Sequence, residues 1–149
     1  MDDTKVGVII FKKKKDKHLF LILKRVPDKG GFWQYVSGGV EKYDKTILDA
    51  AYREVKEEAG ISREDIVKVY ENVFYFEINK HYLTGETTDI KKEYVLGFEV
   101  KADVNVDISK NHCNEHDDFR WVLFNDALDL LYWQENKEGF MKLKERLFD

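Results

Sequence analysis

The chain reads as a mixed α/β layered domain. Three observations predict this. Short runs of β-branched and aromatic residues lie on both sides of one strongly helical segment, residues 46–59. Residues 126–148 at the end have helical character. No repeat, low-complexity tract or linker divides the 149 residues, so they are expected to form one domain, 1–149, with strands and helices packed in layers. A chain of this size buries roughly 68–70% of its unfolded surface, enough for a genuine core.

Each element has its own signal. Residues 4–12 carry Val6, Val8, Ile9, Ile10 and Phe11 and read as a strand. Residues 12–17 are basic, interrupted by Asp16, and read as a solvated hairpin turn rather than a phosphate or nucleic-acid patch. Residues 18–26 return as a second strand, which Pro27-Asp28-Lys29-Gly30-Gly31 breaks. Residues 33–37 form a short strand that ends at Gly38-Gly39. In the helix at 46–59, Thr46 is the N-cap, Asp49 stands three residues on like a capping-box partner, and Gly60 suits the C-terminal end. Residues 66–78, 93–100 and 119–124 are β-rich, and 126–148 is expected to be helical.

Composition narrows the function classes. With 43% hydrophobic and 36% charged residues the chain is globular rather than disordered. The longest apolar runs fall far short of a membrane span. The one cysteine, Cys113, excludes an internal disulfide and suits a reducing compartment, so a cytoplasmic location is expected. The acidic opening Met1-Asp2-Asp3 is unlike a secretory leader. A net charge of −4 argues against a general nucleic-acid binder.

The chemistry concentrates on the helix. At about 100° per residue, Leu48, Ala51, Val55 and Ala59 form an apolar stripe, and Glu54, Glu57 and Glu58 form a second stripe beside it. Carboxylates at these spacings repel by roughly 0.2–0.5 kcal/mol per pair on an exposed helix. A cation relieves that repulsion, and all-oxygen ligands favour Mg²⁺ or Mn²⁺ over zinc. The bland alternative is a solvated acidic face partnered by Arg53 and Lys56. Two flanking features favour the metal: Gly38-Gly39 allows a close backbone approach, and Arg53, four residues before Glu57, can hold a carboxylate in fixed geometry.

Gly38…Arg53-Glu54-Val55-Lys56-Glu57-Glu58-Ala59-Gly60-Ile61 resembles the Nudix box, G-x5-E-x7-R-E-U-x-E-E-x-G-U with U aliphatic. The second half matches at every fixed position. The first half departs: counted from Gly38 the box glutamate falls on Asp44, and counted back from Arg53 it falls on Lys45. One extra residue in the 43–45 turn accounts for both, with Asp44 substituting for the glutamate that supports Arg53. The resemblance implies an α/β/α sandwich with a mixed β-sheet, and metal-dependent hydrolysis of a nucleoside diphosphate linked to another group. It implies Arg53, Glu54, Glu57 and Glu58 as catalytic residues. Glu54, Glu58, Glu57 and the Gly38 carbonyl would be the ligands of Mg²⁺ or Mn²⁺.

Within that family the chain is most similar to the bacterial dihydroneopterin triphosphate/dATP pyrophosphatases. Phe32-Trp33-Gln34 with Val36-Ser37-Gly38, Phe76-Glu77-Ile78, and Glu115-His116…Trp121 carry this likeness. It implies Glu115 as a further metal ligand and Arg25 and Ser37 as phosphate contacts. Phe76, Glu77, Ile78 and Asn79 would line a base or pterin pocket bordered by Tyr132-Trp133. The N-terminal basic residue of that subgroup has no counterpart here, and the loop at 81–89 differs.

Other groupings read as structural. His112, Cys113 and His116 fit no common zinc spacing, and His116 reads as a neutral loop histidine. Trp33 and Trp121 read as core, with Trp133 the better candidate to stack a base. Residues 85–89 read as a plain turn rather than a lid. The expected function is therefore release of pyrophosphate and a monophosphate from a small-molecule nucleotide or pterin triphosphate, by a monomer or homodimer, without nucleic acid or membrane. Hydrolysis of a dinucleoside polyphosphate such as diadenosine tetraphosphate uses the same box. A non-catalytic nucleotide-binding module is the third reading, motivated by Lys45.

Overall fold

A computed structural model describes residues 3–81, 83–109 and 114–147. Seven strands form one mixed sheet: β1 (Thr4–Lys14), β2 (Lys17–Arg25), β3 (Trp33–Gln34), β4 (Val36–Gly39), β5 (Ile66–Lys80), β6 (Thr87–Val100) and β7 (His116–Val122). The helices are α1 (Ile47–Ala59), α2 (Phe124–Leu130) and α3 (Gln134–Leu147). The main strand order is β3-β2-β1-β6-β5, with β4 on β1 and β7 on β2. Among the described strands β1 pairs with β6 in parallel and the other ladders are antiparallel.

The centre of the sheet is buried on both faces, which is why residues 6–11 read as a continuous apolar run. Val6, Val8 and Ile10 face α1 and meet Val55 and Ala59. Ile9 and Phe11 face the other way and pack with Phe20, Tyr35, Phe140 and Leu143 under α2 and α3. The result is the expected α/β/α layering. Trp121 packs against the first cluster and Trp33 against the second.

The basic hairpin tightens to two turn residues, with Lys14 opposite Lys17 and Lys15 at φ 61°. The predicted strand at 33–37 divides at buried Tyr35: β3 pairs with β2, and β4 moves across to pair with β1. That step carries Ser37 and Gly38 to the carboxylate helix. The N-cap residue and the glycine end of α1 are as the sequence predicts, while the Asp49 carboxylate, read as a capping-box partner, faces Arg63 at 3.6 Å. Thr46 Oγ1 accepts a hydrogen bond from the Asp49 amide at 3.0 Å, and Gly60 closes the helix at φ 68°, its N–H donating to the Lys56 carbonyl.

Three predicted elements are corrected. β6 begins at Thr87, six residues before 93, because the long β5–β6 ribbon extends beyond the layered core. The strand at 119–124 instead spans His116–Val122, since its pairing with β2 runs from Phe20 back to Arg25. The terminal helix at 126–148 is two helices. Leu131 is extended at φ −60°, ψ 134°, is buried, and bridges to Trp33, so tertiary anchoring interrupts the helical pattern.

Candidate active site

α1 and β4 meet at the centre of the site. Glu54 and Glu58 sit one turn apart on α1 and are only 7% and 2% exposed. Glu57 points outward, its side chain 37% exposed. The Glu54 carboxylate lies over Gly38 so closely that any Cβ there would overlap it. Glycine at this position is therefore a condition of the Glu54 placement.

Arg53 ties these parts together. Its Nε donates to Asp44 Oδ1 at 3.0 Å and Nη2 to Asp44 Oδ2 at 2.8 Å, a bidentate pair. Nη1 donates to Glu54 Oε1 at 2.8 Å and Glu57 Oε2 at 3.2 Å, and Nη2 also reaches the Gly39 carbonyl at 2.8 Å. Asp44 accepts a further bond from the Glu41 amide. Lys45 is exposed. The extra residue in the turn thus directs Asp44, not Lys45, at Arg53. Hydrogen bonds from Arg53 hold the Asp44 carboxyl below its usual range, and Asp44 in turn raises the Arg53 guanidinium.

Burial pushes Glu58 well above the ordinary carboxylate range; its shared contact with Glu54 and the charges of Glu54 and Glu115 add to this, and the Ser37 amide opposes it. Burial also raises Glu54, against the pull of Arg53. Like charges packed together in a poorly solvated place favour protonation or a bound cation.

β7 supplies the remaining wall. Its pairing with β2 sets Arg25 opposite His116, and the Val26 amide bonds the Glu115 carbonyl at 2.8 Å. His116 is buried, not a loop residue as its sequence context suggests: it starts β7 and is 4% exposed. Gln34 Nε2 donates to His116 Nε2 at 3.0 Å, which places the ring proton on Nδ1. Nδ1 faces Glu58 Oε1 at 4.0 Å, and neither atom has a hydrogen-bond partner. Burial, with help from Arg25 and Lys29, pushes the imidazole down to about 4, so it is neutral near pH 7.

Oxygens of Glu58 and Glu115 and a ring nitrogen of His116 all lie within 4.8 Å of one another; with its proton on Nδ1 and Nε2 bonded to Gln34, His116 lines the cluster and the two carboxylates offer the ligand atoms. Buried polar atoms without partners are uncommon, and a divalent cation among these carboxylates would satisfy Glu58. The residues present therefore fit a metal. His112 and Cys113, considered with His116 for zinc, lie outside the described residues.

The substrate-contact residues are spread around this centre. Ser37 is part-buried on β4. Arg25 ends β2, its Nε bonded to the Lys29 carbonyl at 2.8 Å and its guanidinium 5.7 Å from the Phe32 ring. Strand alternation divides the β5 group: Phe76 and Ile78 are half-buried, and Glu77 and Asn79 are exposed on the opposite face. Phe76 stacks on Phe74, whereas Glu77 accepts from Tyr75 Oη at 2.7 Å.

Tyr132 is 62% exposed and stacks on Phe32 at 5.1 Å. Trp133, half-buried, stands edge-on to both rings, so Tyr132 is the more open surface. Gly30, Gly31, Phe32, Trp33, Leu83, Leu130 and Tyr132 line an open cavity of about 430 Å³. Sequence reasoning missed Phe32 and Leu83 as its lining. Leu83 comes from a hydrogen-bonded turn in which Gly85 N–H donates to the His81 carbonyl, while 87–89 belong to β6.

The NUDIX domain model matches residues 1–143. The RNA pyrophosphohydrolase of Pelagibacter ubique is 29% identical over 141 residues, covering 88% of this chain and 87% of that protein. A NUDIX hydrolase structure from Listeria monocytogenes superposes with a TM-score of 0.80 at 28% identity, over 97% of this chain and 94% of that one. The Ap4A hydrolase of C. elegans superposes at 0.76 with 23% identity, over 97% of each chain. The dihydroneopterin triphosphate pyrophosphohydrolase of E. coli superposes at 0.75 with 22% identity, over 97% and 96%. The last two likenesses are of fold.

Proposed function

The chain belongs to the NUDIX family as a hydrolase of pyrophosphate bonds, and on that premise we propose that it converts a nucleoside triphosphate, or a related compound such as dihydroneopterin triphosphate, to a monophosphate and pyrophosphate. One observation carries this reading. Glu58 is buried beside Glu54, its Oε1 unpartnered and facing Glu115 and His116. A carboxylate cluster meets a polyphosphate only with cations between them. Glu54, Glu58, Glu57, Glu115 and the Gly38 carbonyl would hold Mg²⁺ or Mn²⁺, all hard oxygen donors. A divalent ion there would neutralise phosphate charge and lower the pKa of a bound water.

The chain's own groups do the rest. Arg53 orients Glu54 and Glu57, and Asp44 anchors Arg53. Glu57, the most open of the three glutamates, orients the water that attacks phosphorus. Arg25 and Ser37 contact the phosphates. The ring beyond them occupies the cavity against Tyr132 and Phe32, where a flat heterocycle stacks favourably. Of the β5 group, Phe76 and Ile78 form the outer border of the substrate, and Glu77 and Asn79 lie on the opposite face of the strand. We read residues 1–149 as one such domain in the cytoplasm. Among the described residues no helix is long and apolar enough to cross a membrane.

A second reading has a specific motive: the Pelagibacter relative, similar over most of its length, is named for pyrophosphate hydrolysis on RNA. The same carboxylates would then act on the 5′-triphosphate of an RNA. The test is a panel of nucleoside triphosphates, dihydroneopterin triphosphate, diadenosine tetraphosphate and a 5′-triphosphorylated oligoribonucleotide, each with Mg²⁺ and with EDTA. Pyrophosphate release from the small triphosphates, abolished by EDTA, is the expected result. Strong preference for the dinucleotide or the oligoribonucleotide would reject the small-triphosphate assignment. Tight nucleotide binding without turnover would mark a binding module.

A further inference from the structure

A further buried carboxylate lies behind the site, on the α3 side of the sheet. Glu93 on β6 is 3% exposed. Tyr35 Oη donates to its Oε2, and Ser37 Oγ donates to its Oε1 at 3.3 Å. Burial pushes Glu93 up, and Lys5 and the two hydrogen bonds oppose that push. A carboxylate costs more to bury than an apolar side chain of the same size, so its place here calls for a role.

The geometry of the contact is unusual. β4 and β6 are not neighbours, because β1 runs between them. Adjacent strands stand about 4.8 Å apart, so roughly 10 Å of sheet separates the outer two. Gly7 is the β1 residue paired with Ser37 on one side and Val95 on the other. A Cβ at Gly7 would stand 2.6 Å from Tyr35 Cε1 and 2.7 Å from Glu93 Oε2. The missing side chain opens a passage across β1, and Tyr35 and Ser37 reach Glu93 through it.

Ser37 is the other end of this connection. Its backbone amide faces Glu58 and favours the charged form of that carboxyl, and the next residue, Gly38, lies directly under Glu54. Glu93 therefore holds Ser37 on one face, and the backbone that follows it forms the floor beneath Glu54 on the other. We propose that Glu93 is a positioning residue for the reaction: it fixes Ser37 across Gly7, and through the Ser37-Gly38 backbone it fixes the floor on which Glu54, and with it Glu58, is placed. Its kinetic consequence rests on the hydrolase reading above; its consequence for metal binding does not.

The test measures Mn²⁺ affinity by electron paramagnetic resonance without substrate, together with kcat, KM and melting temperature, for Glu93→Ala, Glu93→Gln and Ser37→Ala. Groups that orient metal ligands typically cost about 10–100-fold in affinity or activity when removed. Glu93→Ala is expected to lose that much in Mn²⁺ affinity and in kcat, with KM little changed. Glu93→Gln keeps the shape but offers one acceptor oxygen to two hydroxyl donors, so it falls between wild type and Glu93→Ala. Ser37→Ala should add no further loss of Mn²⁺ affinity to Glu93→Gln. A purely structural glutamate would lower the melting temperature and leave Mn²⁺ affinity alone. The proposal is overturned if Glu93→Gln keeps Mn²⁺ affinity within about twofold of wild type, or if the two single losses multiply in the double variant. Should Glu93→Ala fail to fold, the Gln and Ser37 variants decide. A wild type inactive on every substrate would sink the hydrolase reading, and the Mn²⁺ arm would still decide this one.

Discussion

Glu58 combines the deepest burial among the three box glutamates with an unpartnered oxygen. Glu58→Gln keeps its size and removes its charge. Turnover is expected to fall by at least about 100-fold, as for loss of a group that acts on the reacting atoms, while circular dichroism shows an intact fold. Near-normal turnover would sink the metal assignment. The metal-free variant should also melt higher than metal-free wild type at pH 8, with the gap closing toward pH 5. The sign follows from the raised carboxyl: the folded state takes up the proton at higher pH than the unfolded chain, so wild-type stability rises as pH falls through that window. Asp44 has the opposite sign. Its carboxyl is lowered by Arg53, so its contribution is complete above the ordinary carboxylate range and is lost as pH falls through the lowered value. Asp44→Asn should therefore be less stable than wild type at pH 7, with the difference shrinking below about pH 4. A constant difference in acid titrations would show that the Asp44 charge is not what holds Arg53.

At the scale of elements, α1 has to present its glutamates at one height against β4. Its ends set that height. The Thr46 cap satisfies an amide that the helix itself leaves free, so Thr46→Ala should cost about 1 kcal/mol in denaturant unfolding; an unchanged midpoint would show that tertiary packing alone holds this end. The Arg53 pairs were partly readable in the helix pattern, since Glu57 is four residues on. The Asp44 partner was readable only as a choice between two positions, because a one-residue insertion in a turn leaves no periodic trace. The break at residues 131–133 was not readable at all. Its cause is the bridge of Leu131 to Trp33, about a hundred residues away. That break carries Tyr132 onto Phe32 and so builds the wall of the cavity.

At the scale of the molecule, the α1 layer and the sheet converge on one cluster: Glu58 from α1, with Glu115 and His116 at the start of β7. A cation binding the folded chain and not the unfolded one stabilises it by mass action. Mn²⁺ at saturating concentration should raise the melting temperature of the wild type by several degrees, equivalent to about 2–3 kcal/mol at a hundredfold excess over its dissociation constant. That rise should disappear in Glu58→Gln. An equal rise in both proteins would place the ion elsewhere.

The sequence by itself determined whatever repeats at short range. The helix, its caps, the central apolar strand and the row of glutamates follow from periods of 3.6 and 2 and from capping chemistry, all of which act within a few residues. The tertiary structure alone decided which distant groups meet. Asp44 closes on Arg53, His116 is buried against Glu58, and Tyr35 and Ser37 cross Gly7 to reach Glu93. These pairings depend on strand register and on the order of strands in the sheet, and one strand's residues acquire their neighbours only when the others are in place.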